Sequence, residues 1–315
     1  MAVYNGEKYI EKCVDSLLNT DYSPKSVCVV NDGSTDNTLK CLEKYNSLIT
    51  VWSKPNGGVS DSRNYAIQRS NADLVGITDA DCEVDPLWIK NAIKYFQDPT
   101  VGAVTGWLHY RITNTLSAVR DAEYHVRFAS RSPEAKSVSC PVALFRREAL
   151  LKVGGFDTSY TVGGEDTEIG YRLIEAGYRI VYEPSMKSNH AAEESLALYL
   201  KRNLRNATNH MRVVLSHKKR TSLKDDFFPF TLRFQPLFTL LLILSLVGGF
   251  FWSALWAVSL GSAGPILYNF MPVLMRVAET KGLLSVPITL VVLSLRNIIW
   301  CYGLLTGLLA TFQRS

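Results

Sequence analysis

The sequence predicts an α/β domain built on a parallel sheet, followed by a membrane region. Up to about residue 80, short apolar segments rich in Val and Ile alternate with stretches of helical periodicity, which is typical of parallel βαβ units. From Gln235 to Met275 the sequence contains no Asp, Glu, Lys or Arg. We therefore expect a soluble domain with a membrane-embedded tail.

Composition limits the class of protein further. The chain has 315 residues, 47% of them hydrophobic and 20% charged, with a formal net charge of +5. Beside a membrane tail this charge indicates attraction to anionic lipid or phosphate, and no basic run interleaved with aromatics argues for nucleic acid. The six cysteines show no CxxC pair and no metal spacing, which is typical of reduced, buried thiols. The start of the chain is too polar for a signal peptide.

Hydrophobic periodicity gives the order of elements. The first is an amphipathic helix at Glu7–Asn19, and no strand is expected ahead of it. There follow a strand at Ser26–Asn31, a helix ending near Tyr45, a strand at Leu48–Trp52, a helix at Val59–Arg69 and a strand at Leu74–Thr78. The later elements are a helix at Leu87–Phe96, strands at Val101–Thr105 and Trp107–Ile112, a helix at Thr115–Ser130, a strand at Val138–Phe145, helices at Arg146–Val153 and Gly163–Ala176, a strand at Tyr178–Tyr182 and a long helix at Glu193–Ser216.

The strand at Leu74–Thr78 ends in Asp79-Ala80-Asp81. Carboxylates at the carboxyl edge of an α/β sheet lie where ligands bind, and a divalent cation on phosphate oxygens explains two of them together. The alternative is a polar turn before the next helix, which Asp85 and Pro86 begin.

Two glycine-containing turns follow strands in the same half of the chain. Asp32 ends a strand before Gly33 and is suited to bind a nucleotide's base or ribose, or else forms an Asx turn. The loop from Lys54 to Asn64 leads into a helix, so its amides and Arg63 can hold a phosphate, although a capped turn looks the same.

Three further sites are less specific. Glu165 and Asp166 follow a glycine pair at a helix start, as a general base in a mobile loop would, or as acids favoured by the helix dipole. Arg202 and Arg205, beside Lys201, form either a solvated basic face or a diphosphate clamp. His190 is more often structural than a metal ligand, but it is a candidate third ligand beside Asp81.

Five motifs in a fixed order give a resemblance over residues 2–215. They are Tyr4-Asn5, Val30-Asn31-Asp32-Gly33-Ser34-Thr35-Asp36, Asn56-Gly57-Gly58 with Arg63-Asn64, Asp79-Ala80-Asp81 and Gly164-Glu165-Asp166. The chain resembles the family 2 glycosyltransferases, which are inverting enzymes. The resemblance implies a GT-A fold, a Rossmann-like nucleotide-diphospho-sugar transferase domain.

The resemblance also implies residue roles. Asp32 would contact the nucleotide base, and Asp79 and Asp81 would serve the ribose and a Mg or Mn ion on the diphosphate, with Asp81 favoured as the metal ligand. Independently of the resemblance, His190 stays the candidate third ligand beside Asp79 and Asp81. The Glu165–Asp166 pair would supply the catalytic base, with Asp166 favoured. The remaining residues expected at the nucleotide sugar are Tyr4, Asn5, Asn56, Gly57, Arg63, Arg202 and Arg205.

Two departures from the family bear on function. The usual first strand is expected to be missing ahead of the Tyr-Asn motif. The Gln-x-x-Arg-Trp motif of processive synthases is also absent, and Arg202-Asn203-Leu204-Arg205-Asn206 stands in its place, which favours addition of one sugar.

The tail is predicted from length and charge. Residues 1–215 would form the transferase domain, 216–235 an interfacial linker and 236–315 the membrane region. Pro236–Leu260 is long enough for one span, Gly261–Pro265 is a break, Ile266–Met275 is too short to cross, and Leu283–Phe312 is a second span with Arg296 within it. The basic residues ahead of the tail keep the catalytic domain cytoplasmic by the positive-inside rule; they are Arg212, Lys218, Lys219, Arg220 and Lys224.

The expected function is transfer of a sugar from a UDP- or GDP-linked donor to a polyprenyl-phosphate or other lipid-linked acceptor at the membrane lipid, in polysaccharide or glycoprotein glycan synthesis. A catalytically inactive scaffold of the same fold and a processive synthase are the alternatives.

Overall fold

The computed structural model describes residues 1–191, 195–217 and 234–312. The chain divides into two compact units, one of residues 1–109 and 131–191, the other of residues 110–130 and 192–315. The sequence placed the end of the soluble domain at residue 215, so the structure groups two segments of that predicted domain with the C-terminal helices.

The first unit begins with a parallel sheet. Its strands lie in the order β1-β2-β3, and helices follow each of them. The elements are β1 (Ala2–Val3), α1 (Ile10–Leu18), β2 (Cys28–Asn31), α2 (Thr38–Glu43), β3 (Thr50–Ser53) and α3 (Val59–Arg69). Apolar side chains from these strands and helices pack in one core that includes Val3, Ile10, Val14, Val29 and Leu42. The βαβ pattern read from the sequence is confirmed here.

The prediction that no strand precedes the first helix is wrong. Ala2 and Val3 pair in parallel with Val30 and Asn31. Two residues are too few for a recognisable apolar run, and only the neighbouring strand identifies them as β-structure. The helix also starts later than predicted, at Ile10, because residues 6–10 first form a turn in which Tyr9 and Ile10 both donate to the Gly6 carbonyl.

The second sheet of this unit is largely antiparallel. Its order is β4-β8-β6-β9-β5, with β7 beside β9, and one parallel bridge joins Ala2 to Asp79. The strand pairs β4–β8, β8–β6 and β5–β9 all run antiparallel, so the parallel prediction fails from β4 onward. The elements are β4 (Leu74–Ile77), β5 (Cys82–Val84), α4 (Trp88–Ile93), β6 (Val101–Tyr110), α5 (Thr115–Ala129, in the second unit), β7 (Glu134–Ala135), β8 (Ala143–Arg146), α6 (Arg147–Lys152), α7 (Glu165–Glu175) and β9 (Arg179–His190).

Among the described residues, the second unit contains α5 and four longer helices toward the C-terminus. These are α8 (Leu196–Ser216), α9 (Gln235–Gly248), α10 (Leu255–Lys281) and α11 (Val286–Phe312). Gly303 and Gly307 of α11 lie where an added Cβ would meet Ala207 and the Thr208 carbonyl of α8, so these glycines allow close helix packing. Arg296 of α11 is buried and donates to Glu123 of α5. Since an arginine within an apolar helix is costly unless it has a polar partner, Glu123 explains how Arg296 is accommodated in α11.

The predicted break in the tail falls at the wrong place. α9 ends at Gly248 after 14 residues, which is shorter than a span, so Pro236–Leu260 is not one helix. α10 then runs unbroken through Gly261–Pro265 and includes the segment predicted to be too short. Prolines are tolerated inside helices of this kind, so Pro265 does not end it.

Two stretches, Leu255–Lys281 and Leu283–Ala310, are long and apolar enough to cross a membrane, by length and composition. The basic residues Lys218, Lys219, Arg220 and Lys224, on which the orientation rests, lie outside the described residues.

Candidate active site

The N-terminal part of α3 forms hydrogen bonds with residues 156–161, the segment that leads to the predicted base at Glu165 and Asp166. Ser60 Oγ donates to the Tyr160 carbonyl at 2.7 Å, and Val59 N donates to the Thr161 carbonyl at 3.2 Å. Asn64 exchanges two hydrogen bonds with the Phe156 backbone, at 2.7 and 2.8 Å. These contacts join positions about a hundred residues apart and bring the start of α7 to α3.

Asp32 lies at the end of β2 and is 3% exposed. Its carboxylate accepts from Lys54 Nζ at 2.6 Å and from the amides of Gly57 and Gly58 at 2.9 and 2.8 Å. Burial alone would raise the pKa of Asp32, but these donors outweigh it and the pKa lies below its ordinary value. Asp32 is thus a stably ionised acceptor at the edge of the parallel sheet.

The turn after Asp32 is fixed by the Tyr-Asn motif. Asn5, with φ 50°, accepts from Thr35 N at 2.8 Å and donates its own amide to Ser34 Oγ at 3.0 Å. Gly33 has φ 74°, and a Cβ there would lie 2.9 Å from Asn56 N. Tyr4, which directly precedes Asn5 in the sequence, is 53% exposed. Asn5 and Asn56 therefore shape the edge where Asp32 lies.

Arg63 is buried, 5% exposed, and bridges two of the predicted motifs. Its Nη2 donates to Asp79 Oδ1 at 2.8 Å and its Nη1 to Glu165 Oε1 at 3.0 Å. The predicted phosphate role of Arg63 and of the Gly57 amide stays a prediction, because in this structure Arg63 binds carboxylates and Gly57 N donates to Asp32.

Glu165 and Asp166 lie at the first two positions of α7, after Gly163 and Gly164 with φ 76° and 94°. Glu165 is 7% exposed and paired with Arg63, whereas Asp166 is partly exposed. Burial, and secondarily the charge of Glu165, raise the pKa of Asp166 to about 7. A carboxylate with that pKa exchanges protons near neutral pH, which is the property a general base requires.

Asp81 lies beside His190, which ends β9. His190 Nε2 is 3.4 Å from Asp81 Oδ1, and the strand reaches His190 because β9 extends eight residues beyond the predicted end at Tyr182. His190 Nδ1 contacts the Ala191 carbonyl, which favours the tautomer with the proton on Nδ1 and the lone pair of Nε2 toward Asp81.

A cation fits this pair. Asp81, Cys82 and His190 place one potential ligand atom each within 4.8 Å of one another. Two acceptor atoms that face each other at 3.4 Å are stabilised by a positive charge between them. Asp79, the other carboxylate predicted to bind the metal, instead accepts a hydrogen bond from Arg63 Nη2.

Two residues of the site were missed in the sequence. Lys54 pairs with Asp32 and, at 2.6 Å, with Asp61; its place directly before the glycine loop was the available signal. Cys82 is free and buried, as predicted for the cysteines, but its place beside His190 was not foreseen. Only the cross-strand register brings the two together.

Arg202 and Arg205 lie on α8, in the second unit, and both are partly exposed. Their assignment to the nucleotide sugar stays a prediction.

Comparison with known proteins identifies the class. Residues 1–154 match the model of Glycosyl transferase family 2, and residues 123–193 match that of the N-terminal domain of galactosyltransferase. A mannosyltransferase from Pyrobaculum calidifontis, solved with GDP-Man and Mn2+, superposes with a TM-score of 0.63 at 22% identity, over 96% of this chain and 85% of that one. The fold is thus that of the GT-A transferases.

Two curated synthases are also similar to this chain. The poly-beta-1,6-N-acetyl-D-glucosamine synthase of Staphylococcus aureus is 30% identical over 256 residues, or 76% of this chain and 61% of the relative. The chondroitin synthase of Pasteurella multocida is 38% identical over 105 residues, 32% of this chain and 11% of that protein. This chain therefore spans about three fifths of the length of the Staphylococcus relative. The chain belongs to glycosyl transferase family 2.

Proposed function

We propose that the protein is a membrane-associated inverting glycosyltransferase that moves a sugar from a nucleoside diphosphate sugar to a lipid-linked acceptor. The main support for the proposal is that two neighbouring carboxylates, Glu165 and Asp166, have different surroundings. Glu165 is held by Arg63, whereas Asp166 is partly exposed and has a pKa of about 7. An acid held in an ion pair with Arg63, next to a partly exposed acid whose pKa lies near neutrality, suits a site with a single general base.

The chemistry assigned to Asp166 is removal of a proton. The acceptor hydroxyl attacks the anomeric carbon from the face opposite the diphosphate, a C–O bond forms as the bond to the diphosphate breaks, and Asp166 takes the hydroxyl proton. One such displacement inverts the anomeric centre. The nucleoside diphosphate leaves with the electron pair, so no side-chain nucleophile is required.

The remaining residues bind and orient. Asp32, held ionised by Lys54 and two amides, would accept a hydrogen bond from the nucleotide base. Asp79 is fixed by Arg63 for contact with the ribose. Asp81 and His190 would hold a divalent cation, and when bound this cation would neutralise charge on the leaving diphosphate. The mannosyltransferase solved with GDP-Man and Mn2+ supports a cation and a nucleotide sugar in this fold.

The membrane assignment rests on the tail. Two stretches are long and apolar enough to span a bilayer. A segment rich in Lys and Arg, residues 212–224, precedes the whole apolar tail that begins at Gln235. A cytoplasmic catalytic domain follows from the positive-inside rule. A lipid-linked acceptor suits an enzyme whose chain is anchored at the surface where such acceptors lie.

The test uses the full chain purified in detergent. We expect label from a UDP- or GDP-sugar to enter a polyprenyl-phosphate acceptor with Mn2+ present, and this transfer to stop with EDTA and in Asp166→Asn. Absence of transfer together with absence of Mn-dependent nucleotide binding by calorimetry would favour the inactive scaffold. The β1–β2 pairing supplies a strand ahead of Tyr4-Asn5, so a missing first strand gives no support to an inactive scaffold.

A polymer synthase is the second candidate. It is favoured by the 30% identity with a relative named for synthesis of poly-beta-1,6-N-acetyl-D-glucosamine. Against it, Arg202-Asn203-Leu204-Arg205-Asn206 replaces the Gln-x-x-Arg-Trp motif. Product mass separates the two, since we expect one added sugar and a synthase would give a ladder.

A further inference from the structure

The thiol of Cys82 lies close to the candidate cation site in the first unit. Cys82 Sγ lies 3.9 Å from Asp81 Oδ1, and all three ligand atoms of Asp81, Cys82 and His190 fall within 4.8 Å. Cys82 is fully buried and His190 is 5% exposed, so both side chains are held by their surroundings.

The backbone fixes this arrangement. Cys82 and His190 are directly opposite each other in the antiparallel β5–β9 pair, so their side chains leave the same face of the sheet. The Ala191 amide donates to the Asp81 carbonyl at 2.9 Å, and the Cys82 amide donates to the Asp79 carbonyl at 3.1 Å. The three ligands are therefore positioned by strand pairing and by two backbone hydrogen bonds.

The distances suit a small cation with tetrahedral geometry. Zinc binds nitrogen or oxygen at about 2.0–2.2 Å and sulfur at about 2.3 Å, which places tetrahedral ligands about 3.3–3.6 Å apart. The separations of 3.4 Å and 3.9 Å from Asp81 need shifts of a few tenths of an ångström. The Cys82 and His190 ligand atoms lie within 4.8 Å of each other, so that pair would close by up to about 1 Å when the cation binds. A fourth position is left for a substrate oxygen or water, as in zinc sites that bind ligands.

The chemistry of the ligand atoms determines which cation the site binds most tightly. Mg2+ prefers oxygen ligands and gains nothing from a thiolate, whereas Zn2+ and similar thiophilic cations bind sulfur strongly. We propose that Cys82 is a third protein ligand of this site, which makes the site selective for a thiophilic divalent cation of the Zn2+ class over Mg2+. The thiol proton leaves to solvent when the cation binds. The inference rests on the proposed function only in taking Asp81 and His190 as cation ligands.

Cobalt provides a direct readout, because Co2+ takes the sites of Zn2+ and a thiolate ligand gives it strong near-ultraviolet charge-transfer absorption. The full chain in detergent is titrated with Co2+, then with Zn2+ in competition. We expect the absorption in wild type, its loss in Cys82→Ser and in Cys82→Ala, and its retention in Cys13→Ser. Cys13 is a matched control, since its buried thiol contacts the Asp79 carbonyl at 3.3 Å but lies outside the ligand group.

Affinity gives the second measurement. Zn2+ binding should weaken at least about tenfold in Cys82→Ser, while Mg2+ binding changes less than about twofold. Absence of the cobalt absorption in wild type, or its persistence in both Cys82 variants, would overturn the inference. Sugar transfer is assayed with Mn2+ on the same preparation. Transfer without the absorption contradicts only this inference, whereas the absorption without transfer contradicts only the proposed function.

Discussion

Asp32 and Asp166 are carboxylates of the same unit with opposite environments. Asp32 accepts three hydrogen bonds from Lys54 and two amides, and its pKa lies below the ordinary value. Asp166 accepts from the Thr167 amide at 2.8 Å, lies next to Glu165, and has a pKa of about 7. The hydrogen-bond donors around each carboxylate, more than its burial, therefore determine whether it stays ionised.

The difference separates binding from chemistry. A carboxylate that is ionised at every physiological pH can accept hydrogen bonds from a ligand but cannot exchange a proton usefully. A carboxylate that titrates near neutrality can take a proton and release it again. Substitutions at Asp32, at Asp166 and at the residues that hold their surroundings should therefore differ in what they change.

Asp166→Asn should have the largest effect. Loss of a general base lowers kcat by about 10²–10⁴-fold. Nucleotide affinity should stay within a few-fold, because the proposed base contact at Asp32 is untouched. The measurements are steady-state transfer and calorimetry with the nucleoside diphosphate. Glu175→Gln, at the exposed end of the same helix, is the control and should retain full rate.

Arg63→Met should cost most in stability. It leaves Glu165 buried and Asp79 without their shared cation, which typically costs about 3–5 kcal/mol. Thermal melts in detergent should show a Tm lower by several degrees, partly recovered by adding Glu165→Gln. Arg69→Met, exposed at the end of the same helix, should leave Tm almost unchanged. Equal melts for the two variants would mean that the Arg63 bridge contributes nothing.

Asp32→Asn should have a smaller, pH-dependent effect. Hydrogen bonds to a charged group contribute about 1.5–3 kcal/mol, so the variant is less stable at pH 7. Since the folded pKa of Asp32 is lowered, this contribution exists above the unfolded pKa and is lost as pH falls through the folded value. Melts of both proteins should therefore converge below about pH 4. A constant gap across that range would disagree with an ionised Asp32.

Gly164→Ala should have the smallest effect on stability. Its φ of 94° lies in the left-handed region, where a Cβ costs about 1–2 kcal/mol. Gly177→Ala, at φ 90° just beyond the other end of α7, should lower Tm similarly. Only Gly164→Ala should also lower kcat, because only that glycine adjoins the proposed base.

The sequence predicted those parts of the molecule that are local. The order of the five motifs, most helices and the βαβ start were read correctly from periodicity and turns. Asp166 was preferred over Glu165 as the base, and the structure gives the two acids different surroundings, although the role itself stays a prediction. The assignment to family 2 is confirmed by the match over residues 1–154.

Non-local pairing accounts for the errors. β1 is two residues long and is defined only by its pairing with β2, and the antiparallel partner of β4 lies about seventy residues further on. The partners of Arg63 come from motifs 16 and 102 residues away. Cys82 meets His190 through strand register alone. The break in the tail was predicted at Gly261–Pro265, a segment with two glycines and a proline, whereas α10 continues through it.

The pH dependence of kcat/KM shows most clearly whether Asp166 is the general base. If Asp166 must be ionised to accept the proton, transfer should be slow at acidic pH and rise to a plateau with an apparent pKa near the value of about 7 in the free protein. The residual rate of Asp166→Asn should lack this rise. A wild-type profile that is flat between about pH 5.5 and 8.5, or a rise preserved in Asp166→Asn, would contradict the assignment of Asp166 as the base.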